Sequence, residues 1–324
     1  MLSNSRREQG EFEFLRQLIE RLPTGRGVVV GPGHDAARVR TNGKDWLITV
    51  DSQVEGVHFE RSWLSLAALG RRSFRVAASD VAAMGGSARF ALLDCGVPEY
   101  LSLPALRRME LALVEEARAW GAYVVGGNLH RSLEVAVSVT VLAEAPRNRV
   151  HRSGARPGEL VVVTGNLGDA GLCVCLLRAR QRCPRALLRR WQLPPRRDRL
   201  GRALVERQCV SAMIDVSDGL VQDLHHICEA SGVGAEVDAG SIPRSKAYQR
   251  LAAEDLTLAL SGGEDYELLF TVPPKRLETV QQLARREDVP VTVIGRIVRG
   301  NRVTVKQGSR ELELERLGFD HFAR

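Results

Sequence analysis

The sequence predicts a two-domain protein mixing α+β and α/β architecture, and three observations carry that expectation. Apolar residues alternate between a period of 2 and a period of 3.6 along all 324 residues, so strands and helices interleave. A seam from Pro146 to Gly158 divides the chain into two such alternating halves, one over 1–147 and one over 148–324. The pairs Ser79-Asp80 and Ser217-Asp218 echo one another in the two halves, each beside a helical run.

Composition bounds the rest. With 44% hydrophobic residues and no apolar run near the roughly 18 residues a membrane helix needs, the chain has material for full cores and no spanning segment. The N-terminus Met-Leu-Ser-Asn-Ser-Arg-Arg-Glu lacks the apolar core of a secretory signal, so a cytoplasmic location is expected. Six cysteines (95, 173, 175, 183, 209, 228) form no Cys-x-x-Cys pair, which favours reduced buried thiols over disulfides or a zinc site. The net charge of +7 favours anionic partners. Ten arginines fall between Arg178 and Arg202, a concentration that invites a nucleic-acid reading. That reading is disfavoured, because only Trp191 offers an aromatic platform and long arginines commonly form a solvated face.

In chain order, Phe14, Leu15, Leu18, Ile19 and Leu22 predict a helix closed by Pro23. Val28 to Val30 reads as a strand entering Gly31-Pro32-Gly33-His34-Asp35-Ala36-Ala37, which fits a Gly-x-Gly-x-x-Ala dinucleotide fingerprint. Only about nine residues separate Ala37 from the next strand, too few for a Rossmann crossover helix. Thr41-Asn42-Gly43 predicts a hairpin instead. A strand over Trp46–Val50 ends in Asp51-Ser52, where open sheets place ligands, with His58 following. Next are expected a helix from Leu66 into Ser79-Asp80, a strand over Phe90–Val97, and a helix from Pro104 to Trp120. A strand at Tyr123–Val125 then leads to Gly126-Gly127-Asn128, with another at Val135–Ala143.

In the second half a strand over Leu160–Thr164 enters the Gly-rich turn Gly165 to Gly171, suited to an anion or simply a turn. The acidic centre is Met213 to Leu220, where Asp215, Ser217 and Asp218 sit at a strand-to-helix junction. One short polar residue suffices for an N-cap, whereas two neighbouring carboxylates repel unless a cation lies between them. Mg²⁺ suits such oxygen ligands. Strands over Leu256–Leu260 and Leu268–Val272 flank Ser261-Gly262-Gly263-Glu264-Asp265-Tyr266-Glu267, and strands at Val291–Ile297 and Arg302–Val305 precede a tail Leu317-Gly318-Phe319-Asp320-His321-Phe322.

Seven of these motifs, in order and spacing, resemble the thiamine-monophosphate kinase family: Gly-x-Gly-x-Asp-Ala-Ala at 31–37, Thr-Val-Asp-Ser at 49–52 with His58-Phe59, Ser-Asp-Val-Ala-Ala-Met-Gly at 79–85, Arg-Ser-Gly-Ala-Arg-Pro-Gly at 152–158, Ile-Asp-Val-Ser-Asp-Gly-Leu at 214–220, Ser-Gly-Gly-Glu-Asp-Tyr-Glu-Leu at 261–268, and Gly-Phe-Asp-His-Phe at 318–322. The resemblance implies an aminoimidazole ribonucleotide synthetase-like fold, with an N-terminal half contributing to a barrel across a homodimer. It implies ATP-dependent phosphorylation of thiamine monophosphate to thiamine diphosphate, with several Mg²⁺ ions and ATP between the halves. It further implies Asp35, Thr49, Val50 through its carbonyl, Asp51, Asp80, Asn128, Asp215 and Asp218 as metal ligands, with Asp218, Asp51 and Asp80 central to catalysis. Arg152, Ser217, Gly127 and Asn128 would meet the nucleotide, and His58, Glu264 and Phe319 the thiamine phosphate.

The chain departs from the family pattern at His34, where a second carboxylate is usual, at Val50, which lacks a hydroxyl, and at Asn128-Leu129-His130, where Asp-Thr-Thr is usual. These departures motivate an alternative: a divergent member that binds nucleotide or a phosphate ester with lost or altered activity. Selenophosphate synthetase is disfavoured because no cysteine precedes Cys95, and the hydrogenase-maturation relative because the chain ends Phe-Ala-Arg.

Overall fold

The computed structural model describes residues 11–19, 21–22, 25–314 and 316–319. Pro23 and the terminal Asp320 to Phe322 lie outside them. After α1 (Glu11–Ile19) and β1 (Val28–Val30), β2 (Ala37–Thr41) and β3 (Lys44–Val54) pair through Asn42 and Gly43. Both turn residues take left-handed angles, φ 49° and 74°, as a type I′ hairpin requires. The hairpin is as the sequence predicts. β3, however, runs past Asp51 to Val54, so Asp51 sits within the strand and not at its end.

The first sheet is completed by β4 (Ser87–Val97), β5 (Tyr123–Arg131) and β6 (Ala136–Glu144), in the order β1-β2-β3-β6-β4-β5. Gly126-Gly127-Asn128 therefore lies inside edge strand β5 and not in a loop after it. Strand alternation gives the sheet two unlike faces. Leu47, Val137, Val139, Val141, Ala91 and Cys95 point into a core covered by α2 (Leu66–Ala83) and α3 (Leu103–Ala119). The two helices cross at Gly70, where a Cβ would lie 2.1 Å from the Met109 carbonyl oxygen. The other sheet face leaves Val50, Phe90 and Leu92 exposed.

The second sheet contains β7 (Leu160–Thr164), β8 (Ala212–Asp215), β9 (Gly234–Asp238), β10 (Leu268–Val272), β11 (Val291–Val298), β12 (Val303–Gln307) and β13 (Arg310–Glu311), ordered β13-β12-β9-β11-β7-β10-β8. Its central strands are covered on both faces, which explains unbroken runs such as Val161-Val162-Val163. Val161, Val163, Ile214 and Leu269 share one core with residues of α4 (Asp169–Arg178) and α7 (Leu220–Ser231). Val162, Met213, Phe270 and Leu268 share the other with residues of α6 (Asp198–Glu206) and α10 (Leu277–Arg286). α5 (Arg185–Gln192) and α8 (Lys246–Ala252) complete the layer beside α4.

Leu256 to Leu260 is not the strand its alternating leucines suggest. It forms the start of α9 (Thr257–Ser261), because the Asp255 carboxylate accepts from the Thr257 N–H at 2.8 Å and Leu260 N–H bonds back to Leu256. The Ser-Asp echo also fails, since Ser79-Asp80 lies inside α2 whereas Ser217-Asp218 precedes α7. The arginine-rich stretch contributes internal cross-links: Arg190 and Arg197 bind Glu267, Arg196 binds Asp198 and stacks on Trp120, and Arg202 binds Glu206. All six cysteines are free. Among the described residues, no helix is long and apolar enough to cross a membrane.

Candidate active site

The two halves meet along α2, and an acidic cluster sits at that junction. Asp35 lies just before β2, Asp80 in the last turns of α2, and Asp215 at the end of β8. One carboxylate oxygen from each lies within 4.8 Å of the other two. Hydroxyls fix two of them: Thr49 Oγ1 donates to Asp80 and Ser79 Oγ to Asp215, each at 2.5 Å. Arg152 reaches across from the second half and donates to Asp35 Oδ1 at 2.8 Å.

The electrostatics are those of carboxylates crowded out of water. Burial, followed by the charge of Asp35, pushes Asp215 up to about 7. Burial and the charges of Asp215, Asp51 and Asp35 push Asp80 well above the usual carboxylate range. The donor set of three carboxylates and two adjacent hydroxyls fits a hard divalent cation, which would supply the missing positive charge.

Beside the cluster opens a cavity of about 1030 Å³, with Asp51, Ser217, Asp218, His58, Glu264 and Phe319 on its wall. The structure thus brings six of the sequence-predicted residues to one space. His58 Nδ1 accepts from the Val54 N–H at 3.0 Å, which leaves the neutral ring's proton on Nε2. The Phe319 N–H donates to the Asp218 carbonyl at 2.9 Å and ties the C-terminal segment to the acidic turn.

Neither Ser217 nor Asp218 caps α7, although both are cap-forming residue types. The cap position is Gly219, and the buried Asp223 carboxylate accepts from the N–H groups of Ser217, Asp218 and Gly219 at 3.1 to 3.2 Å. Those side chains are therefore released toward the cavity. A further group, Asp218, Asp223 and His226, also meets within 4.8 Å. Burial holds His226 down at about 4.

One expectation is not met: Asn128 and Gly127 lie away from the acidic cluster. Asn128 does not stand beside Asp51 and Asp80: its Nδ2 donates to Asp94 on the sheet's open face, whereas Asp51 alternates with exposed Val50 and faces α2. Three strand spacings, about 14 Å, also separate β5 from β3 in the order β3-β6-β4-β5. Gly127 lies on the same distant strand. Val50 turns its side chain outward with 62% exposure, which leaves the expectation for its backbone carbonyl standing. Finally, the Gly-rich turn before α4 is already filled by a carboxylate of the chain, since Asp265 accepts from the Gly168 and Ala170 N–H groups.

Sequence reasoning missed several residues. Asp223 had a local signal, an acidic residue in the first turn of α7. Arg72, Gln53 and Trp191 had none, because their contacts join segments more than a hundred residues apart or lie across the strand-to-helix packing.

The comparisons with known proteins cover both halves. The model described as "AIR synthase related protein, N-terminal domain" matches residues 33–145, and "AIR synthase related protein, C-terminal domain" matches 156–308. The thiamine-monophosphate kinase of Aquifex aeolicus is 34% identical, over 98% of this chain and 99% of its own. A solved structure, AaThiL complexed with AMPPCP and TMP, is 33% identical with a TM-score of 0.82, covering 96% of this chain and 97% of that one. The crystal structure of thiamine-monophosphate kinase from Stenotrophomonas maltophilia is 31% identical with a TM-score of 0.77, covering 92% and 95%. On these matches across both sheets and the site between them, the chain belongs to the AIR synthase related family and, within it, to the thiamine-monophosphate kinases.

Proposed function

We propose that this protein transfers the γ-phosphoryl group of ATP to thiamine monophosphate, giving ADP and thiamine diphosphate. The observation that carries the reading is the convergence of Asp35, Asp80 and Asp215 beside a cavity walled by both halves. Support also comes from the relatives, named thiamine-monophosphate kinase, and from the related structure that holds AMPPCP and TMP.

Phosphoryl transfer is catalysed mainly by positioning and by offsetting charge on the moving group. When bound, Mg²⁺ supplies that charge at the phosphate oxygens. In this reading Asp35, Asp80 and Asp215, with Thr49, Asp51 and Asp218, would hold the metal ions, and the Val50 carbonyl would add a ligand. Arg152 and Ser217 meet the nucleotide. The acceptor is a phosphate, whose second pKa near 6 leaves it ionised at neutral pH, so no side chain need remove a proton. His58, Glu264 and Phe319 border the acceptor: Glu264 offers negative charge and Phe319 a ring face to the thiazolium cation.

The division at 147/148 is part of the same reading, with the metal and nucleotide ligands of the first domain facing those of the second. So is a cytoplasmic homodimer. The open face of the first sheet carries Val50, Phe90 and Leu92 exposed, an apolar surface that suits a second copy. Gly127 and Asn128 lie on edge strand β5 of that open face, remote from the cluster, and take no part in the metal site in this reading.

The test is product identity. Purified protein given ATP, thiamine monophosphate and Mg²⁺ forms ADP and thiamine diphosphate in equal amounts, and chelating the metal stops both. ATP binding without either product contradicts the reading and favours a binder that has lost the chemistry.

A further inference from the structure

Behind the acceptor wall lies a cation that no sequence motif marks. Arg72 sits in α2 of the first half and is fully buried. Its guanidinium makes a fork of three hydrogen bonds: Nε to Gln53 Oε1 at 2.9 Å, and the terminal nitrogens to the Trp191 carbonyl and to Glu264 Oε1. The same group stacks over the Trp191 ring at 4.7 Å and lies 5.9 Å from the Tyr266 ring. Gln53, Glu264 and Tyr266 all face the cavity, the first from the N-terminal half and the others from the C-terminal half. One guanidinium therefore joins the three across the domain junction.

Glu264 depends on that junction for its orientation. Both carboxylate oxygens are engaged, Oε1 by Arg72 and Oε2 by Trp191 Nε1 at 2.9 Å. Its backbone is left-handed, φ 62°, as is that of Tyr266, φ 49°. Neither residue is a glycine, so neither conformation is favoured on its own. Bonds from the Glu264 and Tyr266 N–H groups to the carbonyls of Ser217 and Val216, at 2.7 and 2.8 Å, pin the segment at the backbone. Arg72 pins it at the side chain.

We infer that Arg72 is a positioning residue for acceptor recognition, acting through Glu264. It rests on the proposed function and deepens it: the wall that meets the acceptor's cationic ring is held in one arrangement before the ring arrives, so little ordering is left for binding to impose. Lysine cannot replace it, because an ammonium lacks the planar fork that reaches three acceptors and lies flat on an indole.

The experiment compares Arg72→Lys with the native protein in KM for thiamine monophosphate, KM for ATP, kcat and thermal midpoint. The loss of one charge-assisted hydrogen bond raises the acceptor KM about tenfold and leaves the ATP KM within about twofold. In Arg72→Lys/Glu264→Gln the acceptor KM equals that of Glu264→Gln alone, since the two residues act as one. Trp191→Phe, which removes the indole donor to Glu264 and keeps a ring under the guanidinium, gives the same split and serves if Arg72→Lys does not fold. Equal rises in both KM values, additive effects in the double variant, or unchanged kinetics overturn the inference while the kinase reading stands. No turnover by the native protein overturns both.

Discussion

Asp218 reaches the cavity from a turn whose backbone is held by other groups: its N–H goes to Asp223 and its carbonyl receives the Phe319 N–H. Asparagine at this position keeps those backbone bonds and the side-chain volume, and removes only charge. Asp218→Asn is therefore expected to lower turnover on the order of a hundredfold or more while the melting temperature stays within a few degrees. Steady-state rates with a melting curve on the same sample check it, and near-normal turnover would remove Asp218 from the site. The residue was legible in the sequence because charge density betrayed it: a cap needs one short polar side chain, and here were three. Asp215 stood out in the same acidic stretch, whereas Asp35, Asp51 and Asp80 were named only through short motifs shared with the family; the structure brings Asp35 and Asp80 to Asp215. Asn128 was misplaced because its neighbours are set by strand order, which the hydrophobic pattern of β5 does not carry. Arg72 and Trp191 were invisible because their meaning lies wholly in contacts between distant segments.

At the scale of elements, the acidic turn is an arrangement in which a buried carboxylate serves three amides. Asp223 has no solvent to fall back on, and burial with the charge of Asp218 pushes it well above the usual carboxylate range. Asp223→Ala strands three N–H donors at the start of α7. It is expected to cost about 3 kcal/mol of stability, at 1–3 kcal/mol for a buried donor left unpaired. Turnover falls as well, because Ser217 and Asp218 lose their fixed backbone. Denaturant titration measures the first effect, and a loss below about 0.5 kcal/mol would mean the turn is held by something else. Elements of this kind divide by length in how well they read from sequence. The hairpin at Asn42-Gly43 and helices α2 and α3 were plain, since turn chemistry or many periods specify them. The five residues Leu256 to Leu260 are too few for periodicity to separate strand from helix, and the bonds from the Thr257 N–H to the Asp255 carboxylate and from the Leu260 N–H to the Leu256 carbonyl go with the helical turn.

For the whole molecule, the cluster at the domain junction means that the metal-free fold carries stored repulsion, and pH exposes it. Asp215 moves from an ordinary 3.8 to about 7, burial and Asp35 being the main causes, and burial also lifts Asp265 to about 7. Burial and neighbouring carboxylates also raise Asp80 and Asp223 well above the usual carboxylate range. A carboxyl raised in the folded state binds more protons folded than unfolded, so its stabilisation is complete below the unfolded value and is lost as pH rises through the folded one. The buried histidines His34, His151 and His226 act in the opposite sense, being lowered from 6.5, but their contribution fades above that pH as the unfolded-state rings lose their protons. From about pH 6.5 upward the carboxyls decide the sign. A divalent cation held by Asp35, Asp80 and Asp215 replaces the protons of Asp80 and Asp215 and removes their share of the dependence, leaving that of Asp223 and Asp265.

The deciding measurement is the thermal midpoint of the native protein from pH 6.5 to 8.5, once in chelator and once in excess Mg²⁺. In chelator the midpoint falls steadily as pH rises; in Mg²⁺ it is higher throughout, and the gap between the curves widens toward pH 8.5. Curves that coincide at every pH would contradict a cation site at Asp35, Asp80 and Asp215, and with it the phosphoryl-transfer chemistry built on that site.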